Sequence, residues 1–127
     1  MGSFYIISDE ATVEEAGRAD VAVVAMSGEL DYAASPQLRQ RIDGHLEAGR
    51  RRLVLDLSEV TFIDSTAIGV LLGAVTRLNE AGGGALEIVC ADENARVLRI
   101  FAITGIDSMI ALHSTREEAF SALAVAG

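Results

Sequence analysis

Thr61-Phe62-Ile63-Asp64-Ser65-Thr66-Ala67-Ile68-Gly69-Val70-Leu71-Leu72 sets a carboxylate and two hydroxyls between two apolar runs. Three kinds of chemistry are open to that triplet. Asp64 or Ser65 can cap a helix, and accepting an orphan N–H in this way stabilises by about 1 kcal/mol. A hydroxyl can instead carry a phosphate, because unpaired N–H groups and the helix dipole favour an anion at a helix N-terminus. Ser65 can also be read as a nucleophile, since hydrolase serines sit on sharp strand-to-helix turns. A cap needs one side chain. Three polar residues in a row, flanked by the small Ala67 and Gly69, exceed that need.

A nucleophile needs a base, and the candidates are His45 and His113. Neither has an orienting acid evident nearby, and the residues around Ser65 do not form Gly-x-Ser-x-Gly. Both histidines are therefore read as surface or helix-end groups, and the chain as one without catalytic residues. A phospho-aspartate receiver domain would need a lysine, and the sequence contains none. Cys90 is the single cysteine and lies in the apolar segment Leu86–Cys90. It is read as an inert core thiol that suits a reducing compartment. Metal ligation is not expected from one Cys and two distant His, and no cofactor is called for.

The elements that must position the triplet follow from periodicity. Phe4–Ile7 and Val21–Met26 read as strands, with a long turn over Asp9–Asp20 and a loop at Gly28-Glu29-Leu30-Asp31-Tyr32. Ser35-Pro36 has the form of a helix start, Ser35 as the cap and Pro36 in the first turn. Leu38, Ile42 and Leu46 then mark a buried stripe. Arg50-Arg51-Arg52 reads as a solvated helix end leading into the strand Leu53–Leu57, in preference to an anion site. Ile68, Leu71, Leu72, Val75 and Leu78 form an amphipathic stripe directly after the triplet. Gly82-Gly83-Gly84 stops that helix; it lacks the Lys-Ser or Lys-Thr of a phosphate loop. A strand over Leu86–Cys90, a helix facing inward through Val97, Ile100 and Phe101, a short strand over Met109–Leu112 and a helix anchored by Phe120 and Leu123 complete the chain. The expected fold class is α/β: a mixed, mostly parallel sheet of four or five strands, the first antiparallel to the second, with about four helices.

The chain of 127 residues and 13.4 kDa suits one domain, expected over 1–127. Ten basic residues against nineteen acidic ones give a net charge of -9. That balance opposes nucleic acid or an anionic membrane as partner and suits a protein partner with a basic patch. The longest apolar run, Ala67–Val75, is too short to cross a bilayer. With no secretory signal apparent, a cytoplasmic location is expected.

Asp64-Ser65-Thr66-Ala67-Ile68-Gly69-Val70-Leu71 resembles the signature of anti-sigma factor antagonists, the bacterial STAS-domain regulators of partner switching. Gly28-Glu29-Leu30-Asp31 resembles the loop these proteins carry before their first helix. Val97-Leu98-Arg99-Ile100-Phe101 through Thr104-Gly105-Ile106 is similar to the family's third helix and the turn after it. The resemblance runs from about Val21 to the C-terminus, best over about 21–124, and implies a STAS-type sandwich. It further implies a transcription regulator, often of stress responses, whose unphosphorylated form binds a serine-kinase anti-sigma factor and frees a sigma factor. Ser65 matches the position phosphorylated in the family. Asp64, Thr66 and Ala67, with Glu29, Leu30 and Asp31, would belong to the docking surface. ATP and Mg²⁺ would belong to the kinase, and a separate serine phosphatase would reset the cycle. Where the family more often has glycine this chain has Ala67. A STAS scaffold or sensor subunit of a larger signalling assembly is the alternative reading.

Overall fold

The computed structural model describes residues 3–12 and 21–126. In chain order the elements are strand β1 (Phe4–Thr12), strand β2 (Val21–Leu30), helix α1 (Ser35–Glu47), strand β3 (Arg52–Ile63), helix α2 (Ser65–Ala81) and strand β4 (Ala85–Val89). Helix α3 (Ala95–Thr104), a 3₁₀ turn (Ile106–Ser108), strand β5 (Ala111–His113) and helix α4 (Arg116–Ala126) follow. The sheet order is β1-β2-β3-β4-β5, with β1 antiparallel to β2 and every other pair parallel. Alternation of strands and helices makes this arrangement, because each parallel connection requires a crossover.

Side-chain alternation along the strands divides the interior between two faces. Leu53 and Leu55 of β3 face the larger cluster, built with Leu38 and Ile42 of α1, Ile68, Leu71, Ala74 and Leu78 of α2, and Val97 and Phe101 of α3. Val54 points the other way and joins Val23, Val89, Ala119 and Leu123 under α4. Both helical stripes read from sequence are therefore the buried ones, although Phe120, expected to anchor α4, is exposed. Ala119, one residue earlier, takes that place.

Several boundaries differ from expectation, each for a reason that is non-local. Asp9–Thr12 continue β1 against Val21–Val24 and do not begin a turn; the remainder of that expected turn, 13–20, lies outside the described residues. Gly28–Leu30, expected as a loop, extend β2 because β3 runs on to Ile63 and pairs with them. Two register shifts accompany that pairing: Ala25 and Ser27 face Asp56 and Glu59, and Gly28 and Glu29 face Val60 and Phe62. Each shift puts an extra residue into β3, the signature of a bulge that bends a strand and re-aims its side chains. The end of β3 is thereby steered into α2. The last strand begins two residues later than expected, at Ala111.

Candidate functional site

The triplet stands where β2 and β3 end side by side. Leu30 pairs with Ile63, and the N–H of Asp64 donates to the carbonyl of Leu30 at 3.3 Å. Leu30 and Ala67, expected on the docking surface, are both fully buried. Asp64 has an extended backbone, and its Oδ1 accepts the Ala67 N–H at 3.1 Å. Asp64 alone is thus the cap of α2. Ser65 and Thr66, the first two residues of the helix, are exposed. No side-chain hydrogen bond among the described residues engages either hydroxyl, although Thr76 and Thr104 both bond back to carbonyls of their own helices. Ser65 is free because its neighbour already does the capping.

The Gly28–Asp31 segment reaches the same end of the sheet. Gly28 has φ +93°, a conformation glycine adopts without penalty, and the Glu29 N–H donates to the Ser3 carbonyl at 2.8 Å. Asp31 is turned onto its own chain. Its Oδ1 accepts from Ala34 N–H at 3.0 Å, and its carbonyl accepts from the Ser35 N–H at 2.9 Å and the Ser35 hydroxyl at 2.8 Å. The expected cap by Ser35 is therefore replaced: Ser35 is buried inside α1 as a donor, and Asp31 closes the turn before it. Asp64 lies at the end of β3, and Glu29 and Asp31 lie at or just past the end of β2. Tyr32 and Phe62, 73% and 39% exposed, add aromatic surface at this end. Phe62 belongs to the apolar run that precedes the triplet, yet on β3 it is exposed while its neighbour Ile63 is buried.

Both histidines have carboxylate partners that the sequence concealed. His45 Nε2 lies 2.6 Å from Asp9 Oδ1, and Arg50 Nη1 lies 3.4 Å from the Nδ1. His113 Nε2 lies 2.6 Å from Glu87 Oε1. The partners are 36 and 26 residues away in sequence, and His45 is buried and not a surface group. Asp9 pairs with Val24, and Val24 with Leu55, eight positions before Ile63 on β3. His45 is thus engaged at mid-sheet, whereas Ser65 stands at the sheet's end. Among the described residues neither histidine is hydrogen-bonded to Ser65. Among the described residues no group of three or more His, Cys, Asp or Glu is placed to hold a metal ion. Cys90 is buried, and burial together with the charges of Asp56 and Asp92 pushes its thiol up to about 11, so it stays protonated and unreactive near neutrality.

The model of the STAS domain family matches residues 11–119. An anti-sigma F factor antagonist of Paenibacillus polymyxa is 33% identical over 109 residues, spanning 83% of this chain and 88% of that protein. The crystal structure of an anti-sigma factor antagonist from Mycobacterium paratuberculosis superposes with a TM-score of 0.74 at 27% identity, covering 95% of this chain and 94% of that one. The Bacillus cell fate determinant SpoIIAA in its phosphorylated form shares the fold, with a TM-score of 0.59 at 22% identity over 91% of this chain and 99% of that one. No helix among the described residues is long and apolar enough to cross a membrane.

Proposed function

The chain belongs to the STAS domain family, and from that premise we propose that it is an anti-sigma factor antagonist switched by phosphorylation of Ser65. In its unmodified form the surface around Ser65 binds a serine-kinase anti-sigma factor and releases the sigma factor that kinase holds. The observation that carries this reading is the freedom of Ser65: an exposed hydroxyl at the first position of α2, relieved of capping by Asp64. A phosphate there meets the positive end of the helix dipole, so the fold tolerates it. That SpoIIAA has a phosphorylated form agrees with such tolerance in this fold.

The same phosphate adds about -1.5 to -2 charges to a surface that already carries Asp64, Glu29 and Asp31. Set beside carboxylates in an interface that must shed its water, a phosphate disrupts docking through like-charge repulsion and desolvation, and a loss of ~2.7 kcal/mol already weakens binding about a hundredfold. The partner is lost while the monomer stays folded. Leu30 and Ala67 hold the surface in place, and a serine phosphatase restores it. Nothing in this cycle requires chemistry from the chain itself.

The test is reconstitution with the source organism's serine-kinase anti-sigma factors and ATP. Wild type should gain one phosphate, mapped by mass spectrometry to Ser65, and should lose kinase affinity about a hundredfold. Ser65→Ala should bind and stay unmodified, and Ser65→Asp should bind weakly from the start. Equal affinity of Ser65→Asp and wild type would overturn the electrostatic switch.

A further inference from the structure

The turn from β2 into α1 is held at both ends. Asp31 Oδ1 accepts the Ala34 N–H at 3.0 Å, and the Asp31 carbonyl accepts the N–H groups of Ala34 at 3.1 Å and Ser35 at 2.9 Å. Leu30 before the turn and Ala34 at its end are buried. Tyr32, between them, is 73% exposed. A fixed turn thus holds an aromatic ring out in water, leaving unburied an apolar area that a partner can bury.

Strand pairing sets Tyr32 beside the proposed switch. Leu30 pairs with Ile63, and its carbonyl accepts the Asp64 N–H at 3.3 Å. Tyr32 is two residues on from Leu30, about 7 Å of chain at full extension, and Ser65 is one residue on from Asp64, about 4 Å. A standard interface covers about 800 Å² of each partner, a patch roughly 30 Å across. A protein that reaches the Ser65 hydroxyl therefore extends over Tyr32 as well. Glu29, Asp31 and Asp64 give this surface its charge, and Tyr32 is its most exposed large apolar group, ahead of Phe62 at 39%.

We infer that Tyr32 is the residue by which the serine-kinase anti-sigma factor grips this surface, its ring seated in an apolar pocket of that partner. The inference rests on the function proposed above and divides the work: Tyr32 supplies affinity, and the phosphate on Ser65 removes it. Tyrosine is enriched among the few residues that carry most of an interface's binding energy. Its ring brings a large contact area with only two side-chain torsions to fix, and the hydrogen-bonded turn has already fixed the backbone. A phosphate beside the ring resists desolvation, so the pocket does not close dry over it.

Calorimetric titration against the source organism's serine-kinase anti-sigma factors, with ADP present, tests the anchor. Tyr32→Ala should weaken binding about thirtyfold, the loss typical of such residues. Tyr32→Gln, which lacks the ring, should lose as much, and Tyr32→Phe should stay within about threefold of wild type. Ile103→Ala is the control: Ile103, near the end of α3, is 77% exposed, and its truncation should leave the affinity unchanged. Urea unfolding should show all four variants to be as stable as wild type, as substitutions at exposed sites are. Wild-type affinity in Tyr32→Ala or Tyr32→Gln, or an equal loss in Ile103→Ala, would overturn the anchor. So would a loss matched by a drop in stability, since the ring would then be structural. Weak binding by Ser65→Asp with none of it in Tyr32→Ala would overturn the anchor and leave the switch; the reverse pattern would overturn the switch and leave the anchor. If wild type binds no such kinase, both fall.

Discussion

Asp64 and Ser65 sit side by side and do different work. Asp64 accepts the Ala67 N–H and closes α2, while Ser65 points outward with no side-chain bond among the described residues. Their replacements should therefore differ in kind. Asp64→Ala should lose about 1 kcal/mol, the usual worth of an N-cap, and Ser65→Ala should stay within about 0.5 kcal/mol of wild type, as exposed sites do. Urea unfolding of the two variants side by side measures both. A cost for Ser65→Ala matching that of Asp64→Ala would mean that the serine is structural and not held ready for modification. At this scale the sequence was partly legible. A cap at the triplet was evident, but which residue supplies it was not, since Asp, Ser and Thr all cap. Ser35 misled in the same way: its type and its following proline suit a cap, yet Asp31, four residues earlier, accepts the bonds. The acids of His45 and His113 could not be read at all, because tertiary pairing alone brings Asp9 and Glu87 to them.

The elements follow the hydrophobic pattern closely, and their ends depart from it. Strand–helix alternation and the stripes of α1, α2 and α3 were legible because each reports burial with its own period. The ends of β2 and β3 were not, since two bulges carry the pairing on through Gly-Glu-Leu and through polar Ser58-Glu59. Local composition reads such residues as loop. Gly28 is closely fitted between its two neighbouring strands. It pairs with Phe4 on one side and Val60 on the other, has φ +93°, and leaves no room for a side chain: an added Cβ would lie 1.9 Å from the Ser3 carbonyl oxygen. Gly28→Ala would thus combine backbone strain of about 1–3 kcal/mol with displacement of Ser3. The displaced carbonyl is the one that accepts from Glu29, so the proposed docking surface should loosen along with the strand. The expected result is a loss of at least about 2 kcal/mol in urea, with faster amide exchange over Phe4–Ile7 than over β4. Wild-type stability in this variant would show that the close approach is not maintained in solution.

The whole molecule is joined across its layers by two carboxylates, and its acid stability follows from them. Asp9 of β1 meets Arg41 and His45 of α1 on one face of the sheet, and Asp56 of β3 meets Arg116 of α4 on the other. Burial pushes both carboxyls up, yet both lie below the ordinary carboxylate range. For Asp9 the bonds and charges of Arg41 and His45 outweigh burial; for Asp56 the Arg116 bond and the Ser58 N–H do so. A carboxyl that is more acidic folded than unfolded contributes stability that is fully present above its unfolded value. That contribution fades as pH falls from about 4 through the lower folded value, because the unfolded chain then binds more protons. The net charge of -9 acts in the opposite sense at higher pH. Between neutrality and the isoelectric point near 4.5, protonating surface carboxylates relieves self-repulsion without touching the two paired ones. Stability should therefore hold or rise slightly on mild acidification and then fall steeply below about pH 4. Urea unfolding at a series of pH values separates the two limbs. Asp9→Asn combined with Asp56→Asn should be less stable than wild type at neutrality and show a distinctly flatter fall below about pH 4, with the limb above it unchanged. If the double variant keeps the full acid slope, the layers are held against acid by other carboxylates, and the latches on the two faces are not what fails first.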